Sequence, residues 1–186
     1  KFYGTFDWNY SEHLVAAFRL DVNQKIAKLS TGYLTIFKLI LALCLPVEFI
    51  FLDEPVLGLD ANNRELFYSE LLSTYEDRPR TFVIATHLIE EIANLIEHVL
   101  IIDDGVITKD CDVTLLMNQA HIISGPQTAV QEFTQGLQVL NRKYLGDIER
   151  AYVLGELPRD TRTSTVSIQQ MPLQELFVCL TEKVGE

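Results

Sequence analysis

Short apolar runs alternate with helical patterns through the first half of the chain. Each run is four or five residues long and is rich in aromatic and β-branched side chains, which is typical of buried parallel strands. The predicted strands are residues 49–52, 81–85 and 99–102, and the predicted helices are residues 9–20, 34–45, 62–75 and 88–97. Strands that alternate with helices favour an α/β fold with a parallel sheet.

Local signals mark several ends of these elements. Asn9 followed by Glu12 predicts a capping box at the start of the first helix. The helix at 34–45 is apolar almost throughout, which predicts burial on most sides, and Pro46 ends it. Asp104-Gly105 predicts a two-residue hairpin turn after the third strand.

The pattern changes after about Val113. The predicted strands there are residues 120–124, 139–144, 150–154 and 165–168, and the predicted helices are residues 128–133 and 172–183. The resulting β-α-β-β-β-α order predicts a small α+β appendage, and no motif in it carries chemistry.

Composition narrows the classes of partner. The net charge of −11 argues against a protein that holds nucleic acid by its phosphates, and it disfavours adhesion to an anionic membrane. Three dispersed cysteines without a CxxC fit a reducing compartment and no zinc site. Lys38, Pro46 and Glu48 interrupt the most apolar region, which indicates a soluble core and not a membrane span. Because the chain begins at Lys1 within a helical pattern, we expect it to be a fragment of a longer protein.

Two adjacent acids follow the first predicted strand, in the stretch FLDEPVLGLD. Ligands of open α/β sheets bind at the carboxyl ends of strands. A rigidly held Asp53 suits a magnesium-linked carboxylate, and Glu54 suits a general base for an attacking water. The alternative, turn or helix-capping acids after a strand, is equally compatible with this stretch alone.

The stretch LSTGY, residues 29–33, precedes the apolar helix. Ser30 is placed to cap that helix, and Thr31 and Gly32 leave backbone amides accessible to a phosphate at a helix N-terminus. By itself the stretch fits an ordinary N-cap with a turn glycine better.

His87 also follows a predicted strand, so adjacent parallel strands would bring it near Glu54. A lone histidine is more often a capping or core residue, and His13, His98 and His121 are interpreted that way. The order of the three signals along the chain favours the functional interpretation of these residues over the structural one.

Taken together, the segment from about Phe2 to Lys109 resembles the second half of an ABC-type ATP-binding cassette. LSTGY is similar to the signature sequence, FIFLDE to Walker B with the catalytic glutamate, LGLD to the D-loop and Thr86-His87 to the switch histidine. The run EPVLGLD followed by ATHLIEE is most similar to a bacterial ABC transporter subgroup encoded near GntR-type regulators. The resemblance implies an α/β, partial P-loop NTPase (ABC ATPase) core with a helical subdomain, besides the α+β C-terminal appendage.

The resemblance also implies roles for these residues. Asp53 would support Mg²⁺ through water, Glu54 would polarise the hydrolytic water, and His87 would contact the γ-phosphate of ATP. The residues Leu29, Ser30, Thr31, Gly32 and Tyr33 would bind the γ-phosphate held by the opposite subunit, chiefly through Ser30 and Gly32. Asp60 would cross the dimer interface. The implied division is a helical signature subdomain at 1–46, the second half of the ATPase core at 47–113 and an accessory domain at 114–186.

The sequence departs from the family pattern in two ways. Thr31 and Tyr33 replace Gly and Gln in the common signature LSGGQ, which leaves the role of Tyr33 open. No G-x-x-x-x-G-K-[ST] phosphate-binding loop occurs in these residues. We therefore expect that the parent protein hydrolyses ATP and that this chain alone is inactive.

The function implied is that of an ABC transporter ATPase subunit, peripheral on the cytoplasmic face of the membrane. It would pair with a second ATPase subunit, identical or different, and drive a separate transmembrane permease, without nucleic acid. Two alternatives stay open. One is a non-transport ABC-type ATPase acting on DNA or ribosomes, and the other is a non-catalytic regulatory or dimerisation fragment.

Overall fold

A computed structural model describes residues 5–158 and 165–181. The chain divides into two compact units, the first ending at His87 and the second beginning at Leu88. The three-part division inferred from the family resemblance stays a prediction. Within the described ranges, no helix combines the length and the apolar character that crossing a bilayer requires.

The first unit contains three helices and two parallel strands. They are α1 (Trp8–Ala17), α2 (Thr31–Cys44), β1 (Phe49–Asp53), α3 (Ala61–Asp77) and β2 (Thr81–Ala85), with a 3-10 turn at Ile26–Lys28. β1 and β2 pair in parallel over their whole length, from Phe49 opposite Thr81 to Asp53 opposite Ala85. The predicted parallel pairing is therefore present, and β2 is the neighbour of β1 among the described strands.

The two faces of this sheet differ. Ile50 and Leu52 are buried, whereas Phe49 and Phe51 are 58% and 75% exposed. Because successive side chains of a strand point to opposite faces, one face of β1 packs in the core and the other presents aromatic rings.

Two predictions about the helices are wrong in detail. Asp7, and not Asn9, caps α1, with its Oδ1 accepting the N–H of Tyr10 at 2.9 Å. α2 is buried along a single stripe, because Leu41 is exposed on the opposite side. The buried positions of α2 recur at helical spacing and are Ile36, Leu39, Ile40, Leu43 and Cys44.

Arg80 ties the end of α2 to the start of β2. Its two terminal nitrogens donate to the carbonyl oxygens of Leu43 and Leu45, each at 2.7 Å. These carbonyls lie at the helix C-terminus, where no intrahelical donor remains, so the guanidinium satisfies them. The helix thus ends at Cys44 with its last carbonyls paired, just before Pro46.

The second unit begins with a short helix and a hairpin. These are α4 (Ile89–Ile92), β3 (His98–Asp103) and β4 (Val106–Asp112). α4 is much shorter than the predicted helix at 88–97. β3 pairs antiparallel with β4, and the expectation that it adds a third parallel strand stays a prediction. Asp104 and Gly105 both have positive φ, 47° and 77°, as the predicted hairpin turn requires.

The remainder of the second unit is a four-stranded antiparallel sheet with helices on both faces. The elements are α5 (Val113–Asn118), β5 (Ala120–Pro126), α6 (Gln127–Phe133), β6 (Gln138–Leu145), β7 (Ile148–Leu154), β8 (Ser167–Gln170) and α7 (Leu173–Thr181). The strand order is β6-β7-β5-β8. The predicted β-α-β-β-β-α order is present, α5 was not predicted, and residues 182–183 of the predicted last helix lie outside the described residues.

Alternation along β5 and β7 produces two apolar layers. Ile122 and Tyr152 pack with residues of α5 and α7, and Ile123 and Val153 pack with Val130 of α6. Each face of the sheet is therefore covered, and the appendage has a core of its own.

Candidate functional site

Glu54 directly follows β1 and is held at the end of the neighbouring strand. Its N–H donates to the carbonyl oxygen of Ala85 at 2.8 Å, which extends the parallel ladder by one bond. Its φ is +45°, although Pro55 favours an extended backbone at the residue before it. Such a conformation costs about 1–3 kcal/mol and persists only where the surroundings impose it.

The Glu54 carboxylate contacts the two residues that follow β2. Thr86 Oγ1 donates to Oε2 at 2.9 Å, and the His87 N–H donates to Oε1 at 3.1 Å. The His87 Nδ1 lies 2.7 Å from Oε1. A carboxylate only accepts, so Nδ1 carries the proton of this bond and Nε2 is left for another partner.

These bonds favour the charged form of Glu54. The hydrogen bond from the His87 side chain lowers the pKa of the carboxyl most. Burial opposes it, and the Thr86 hydroxyl and the His87 N–H lower the pKa further. Glu54 is therefore an anion at neutral pH, as a proton acceptor must be.

Asp53 is the last residue of β1 and is exposed, on the same face of the strand as Phe51. In the described ranges no three His, Cys, Asp or Glu side chains converge as a protein-only metal cage would require. Mg²⁺ in nucleotide sites is bound by one or two carboxylates with phosphates and waters, so one exposed carboxylate at a strand end fits that ion.

The LSTGY stretch contains the N-cap and the first turn of α2, and the capping by Ser30 agrees with the prediction. Ser30 is its N-cap, and its hydroxyl accepts the N–H of Tyr33 at 3.3 Å. The side chain of Tyr33 is 41% exposed. The helix starts at Thr31, earlier than the predicted start, so the amides of the first turn belong to a helix N-terminus.

Gly32 lies against the loop that follows β1. A Cβ atom at this position would come within 2.9 Å of the carbonyl oxygen of Gly58, whose own φ is +81°. Gly32 was predicted as a turn glycine or as an opening for phosphate, whereas the fold needs a glycine there for packing.

Asp60 is the N-cap of α3. Its Oδ1 accepts the N–H of Asn63 at 2.9 Å, and its Oδ2 accepts from the side-chain amide of Asn63 at 3.1 Å. Both carboxylate oxygens therefore serve the helix end in this structure, and the predicted role at a dimer interface stays a prediction.

The structure thus brings Glu54 and His87 into direct contact, as the parallel strands predicted. It adds Thr86, to which sequence analysis gave no role. The sequence did contain a signal for Thr86. It is a hydroxyl residue directly after one strand, and the neighbouring strand is followed by an acidic residue.

Comparison with known proteins identifies relatives of one kind. ABC transporter ATP-binding protein YtrB of Bacillus subtilis is 25% identical over 119 residues, which are 64% of this chain and 41% of YtrB. Energy-coupling factor transporter ATP-binding protein EcfA2 of Streptococcus sanguinis is 27% identical over 134 residues, 70% of this chain and 47% of that protein. No protein-family model matches the chain.

Solved structures agree on the fold. A cobalt transport ATP-binding protein, cbiO-2, has a TM-score of 0.51 at 18% identity, covering 82% of this chain and 54% of that one. A chain in the complex of archaeal ribosomal stalk protein aP1 with the ribosome recycling factor aABCE1 has a TM-score of 0.50 at 22% identity. The match covers 61% of this chain and 24% of that chain. The chain therefore has the α/β fold of the ABC ATPases in part, and it spans less than half the length of the curated relatives named above.

Proposed function

We propose that this chain is the signature- and Walker B-bearing part of an ATP-hydrolysing subunit of an ABC transporter. The observation that carries the proposal is the 2.7 Å contact between His87 Nδ1 and Glu54 Oε1 at the ends of two adjacent parallel strands. The similarity to transporter ATP-binding proteins supports the class of function.

The residues around that contact have complementary roles in this proposal. Glu54, held as an anion, accepts the proton of the hydrolytic water, and His87 orients Glu54 through Nδ1 while Nε2 faces the γ-phosphate. Asp53 would hold Mg²⁺, which would supply charge neutralisation at the phosphates of bound ATP.

The signature residues act on ATP bound by a second subunit. Ser30 and Gly32 stand at the N-terminus of α2, where backbone N–H groups and the helix dipole favour a phosphate. The other residues of the signature stretch at this helix end are Leu29, Thr31 and Tyr33. In a head-to-tail dimer, Asp60 lies at the interface with the partner subunit. ATP hydrolysis by the dimer drives a separate permease in the membrane.

Hydrolysis by the complete gene product tests the proposal. Replacing the base, Glu54→Gln, should lower kcat by about 100-fold or more, and His87→Ala should lower it as well. His98→Gln is the matched control, because His98 bonds Asp110 on an exposed hairpin at 2.6 Å and has no part in the site. A Glu54→Gln variant with the wild-type rate would refute the proposal.

Each alternative to a transport function predicts a different experimental result. At 22% sequence identity, the similarity to the aABCE1 complex shows the fold alone, so it does not favour a ribosomal role. A DNA gel shift by the complete product would support an ATPase that acts on DNA. Hydrolysis that a permease stimulates would support transport, and a stable dimer without hydrolysis would support a regulatory fragment.

A further inference from the structure

Two consecutive residues at the end of β2 bond different oxygens of Glu54. His87 reaches Oε1 twice, through its N–H at 3.1 Å and its Nδ1 at 2.7 Å. Thr86 Oγ1 donates to Oε2 at 2.9 Å. His87 therefore fixes one oxygen, and the hydroxyl of Thr86 fixes the other.

The second bond restricts further how the carboxylate plane is turned. The terminal torsion of a glutamate is broad, and a bond to each oxygen holds the plane more tightly than bonds to Oε1 alone. A carboxylate has about four acceptor sites, and the three donors of residues 86 and 87 leave about one for a further donor. With both oxygens bonded, that last site points in a defined direction.

The backbone of Glu54 is constrained in the same place. Its N–H is bonded to Ala85 O at 2.8 Å, and its φ of +45° is unusual for a glutamate before a proline. Such outliers persist where surrounding contacts hold them, and they are common at functional sites. Strand β2 and its next two residues thus hold Glu54 at both its backbone and its side chain.

We propose that Thr86 is a positioning residue whose hydroxyl orients the Glu54 carboxylate, so that its free acceptor site faces the water consumed in ATP hydrolysis. This inference rests on the proposed function, because it takes Glu54 as the general base. Thr86 acts through Glu54 and contacts neither the water nor the nucleotide in this role.

The first test needs no nucleotide and uses the full 186-residue chain at a single pH. Thr86→Val keeps the shape of threonine without the hydroxyl, and Thr86→Ser keeps the hydroxyl. Thr81→Val, at the opposite end of the same strand, is the matched control. By NMR, three-bond couplings report the χ1 and χ2 rotamers of Glu54, and the deuterium isotope shift on its carboxyl carbon reports the hydroxyl bond that restricts the carboxylate plane.

We expect one fixed Glu54 rotamer and a hydroxyl isotope shift in the wild type, in Thr86→Ser and in Thr81→Val. Thr86→Val should lose the isotope shift that the hydroxyl contributes. A Thr86→Val protein that keeps the full wild-type isotope shift would overturn the proposal. If that variant does not fold, absence of the isotope shift in the wild type would overturn it instead.

The second test is kinetic and uses the complete gene product. Thr86→Val should lower kcat about tenfold or more with KM for ATP unchanged, and Thr86→Ser should restore it. An unchanged kcat in Thr86→Val overturns the positioning role. Absence of hydrolysis in the wild type would refute the proposed function, and with it the orientation toward water, while the NMR result still decides whether Thr86 orients Glu54.

Discussion

The α-carbon of Gly32 packs so closely on the carbonyl oxygen of Gly58 that a Cβ atom at position 32 would lie 2.9 Å from it. This distance is well inside normal carbon–oxygen contact. The start of α2 and the loop after β1 therefore meet backbone to backbone. The stretches similar to the signature sequence and to the D-loop, which are separate in the sequence, are therefore packed against each other.

Gly32→Ala should destabilise the first unit. The added methyl meets a backbone atom and not a flexible side chain, and overpacking of this kind costs about 1–3 kcal/mol. The gain in helix propensity is at most about 1 kcal/mol and does not offset it. Chemical denaturation measures the change, and Thr31→Ala, at the exposed neighbouring position, is the control. Equal stability of both variants would contradict the packing role of Gly32.

Tyr10 should make the fold sensitive to high pH. Burial raises the pKa of its hydroxyl to about 12, with the carboxylate of Glu70 adding to the effect. An unfolded tyrosine has a pKa near 10. The folded state therefore binds this proton more tightly, so the contribution to stability is complete below about pH 10 and is lost as the pH rises from about 10 to 12.

The comparison of wild type with Tyr10→Phe between pH 8 and pH 11 isolates this contribution. Phenylalanine also loses the bonds to Glu70 Oε2 and Thr74 Oγ1, which lowers stability at every pH. The difference between the two proteins should nevertheless shrink above about pH 10. A difference that stays constant over this range would show that Tyr10 does not titrate in this way.

Breaking the buried ion pair of the appendage should lower the free energy of unfolding of the second unit. Glu149 is fully buried and bonded to Arg142, whose other nitrogen donates to Thr134 Oγ1 at 3.0 Å. Arg142→Met leaves the carboxylate of Glu149 buried without its cation, which costs about 3–5 kcal/mol.

The double variant Arg142→Met with Glu149→Leu provides the test of that reasoning. Because it removes both charges, it should lose less stability than Arg142→Met alone. Thermal or urea unfolding of the second unit measures both. A double variant less stable than the single one would show that the pair itself contributes net stability.

The 186-residue chain should not bind Mg-ATP with micromolar affinity. It has the acids and the histidine of the site, but no G-x-x-x-x-G-K-[ST] loop, whose amides and lysine bind most of the triphosphate. Isothermal titration calorimetry measures this, with magnesium and ATP each tested alone. Micromolar binding would show that the phosphates are held by other residues.

Several features followed from short-range chemistry and were predictable. Ser30 caps a helix three residues from its donor, and Asp104-Gly105 makes a turn through its own backbone. The bounds of the strand at Thr81–Ala85 also followed, and the first strand ends one residue later than predicted, at Asp53. The cap at Asp7 was missed because Asn9 offered an equally good local pattern.

The order of the elements, the acids after one strand and the histidine after the next were fixed by the sequence itself, since each depends on neighbours a few residues away. Only the tertiary structure decided that Thr86 bonds Glu54 and that Gly32 needs its hydrogen for packing. These contacts join positions far apart along the chain, and they form only when strand pairing and helix packing bring the positions together. Local propensity carries no information about which distant partner that will be.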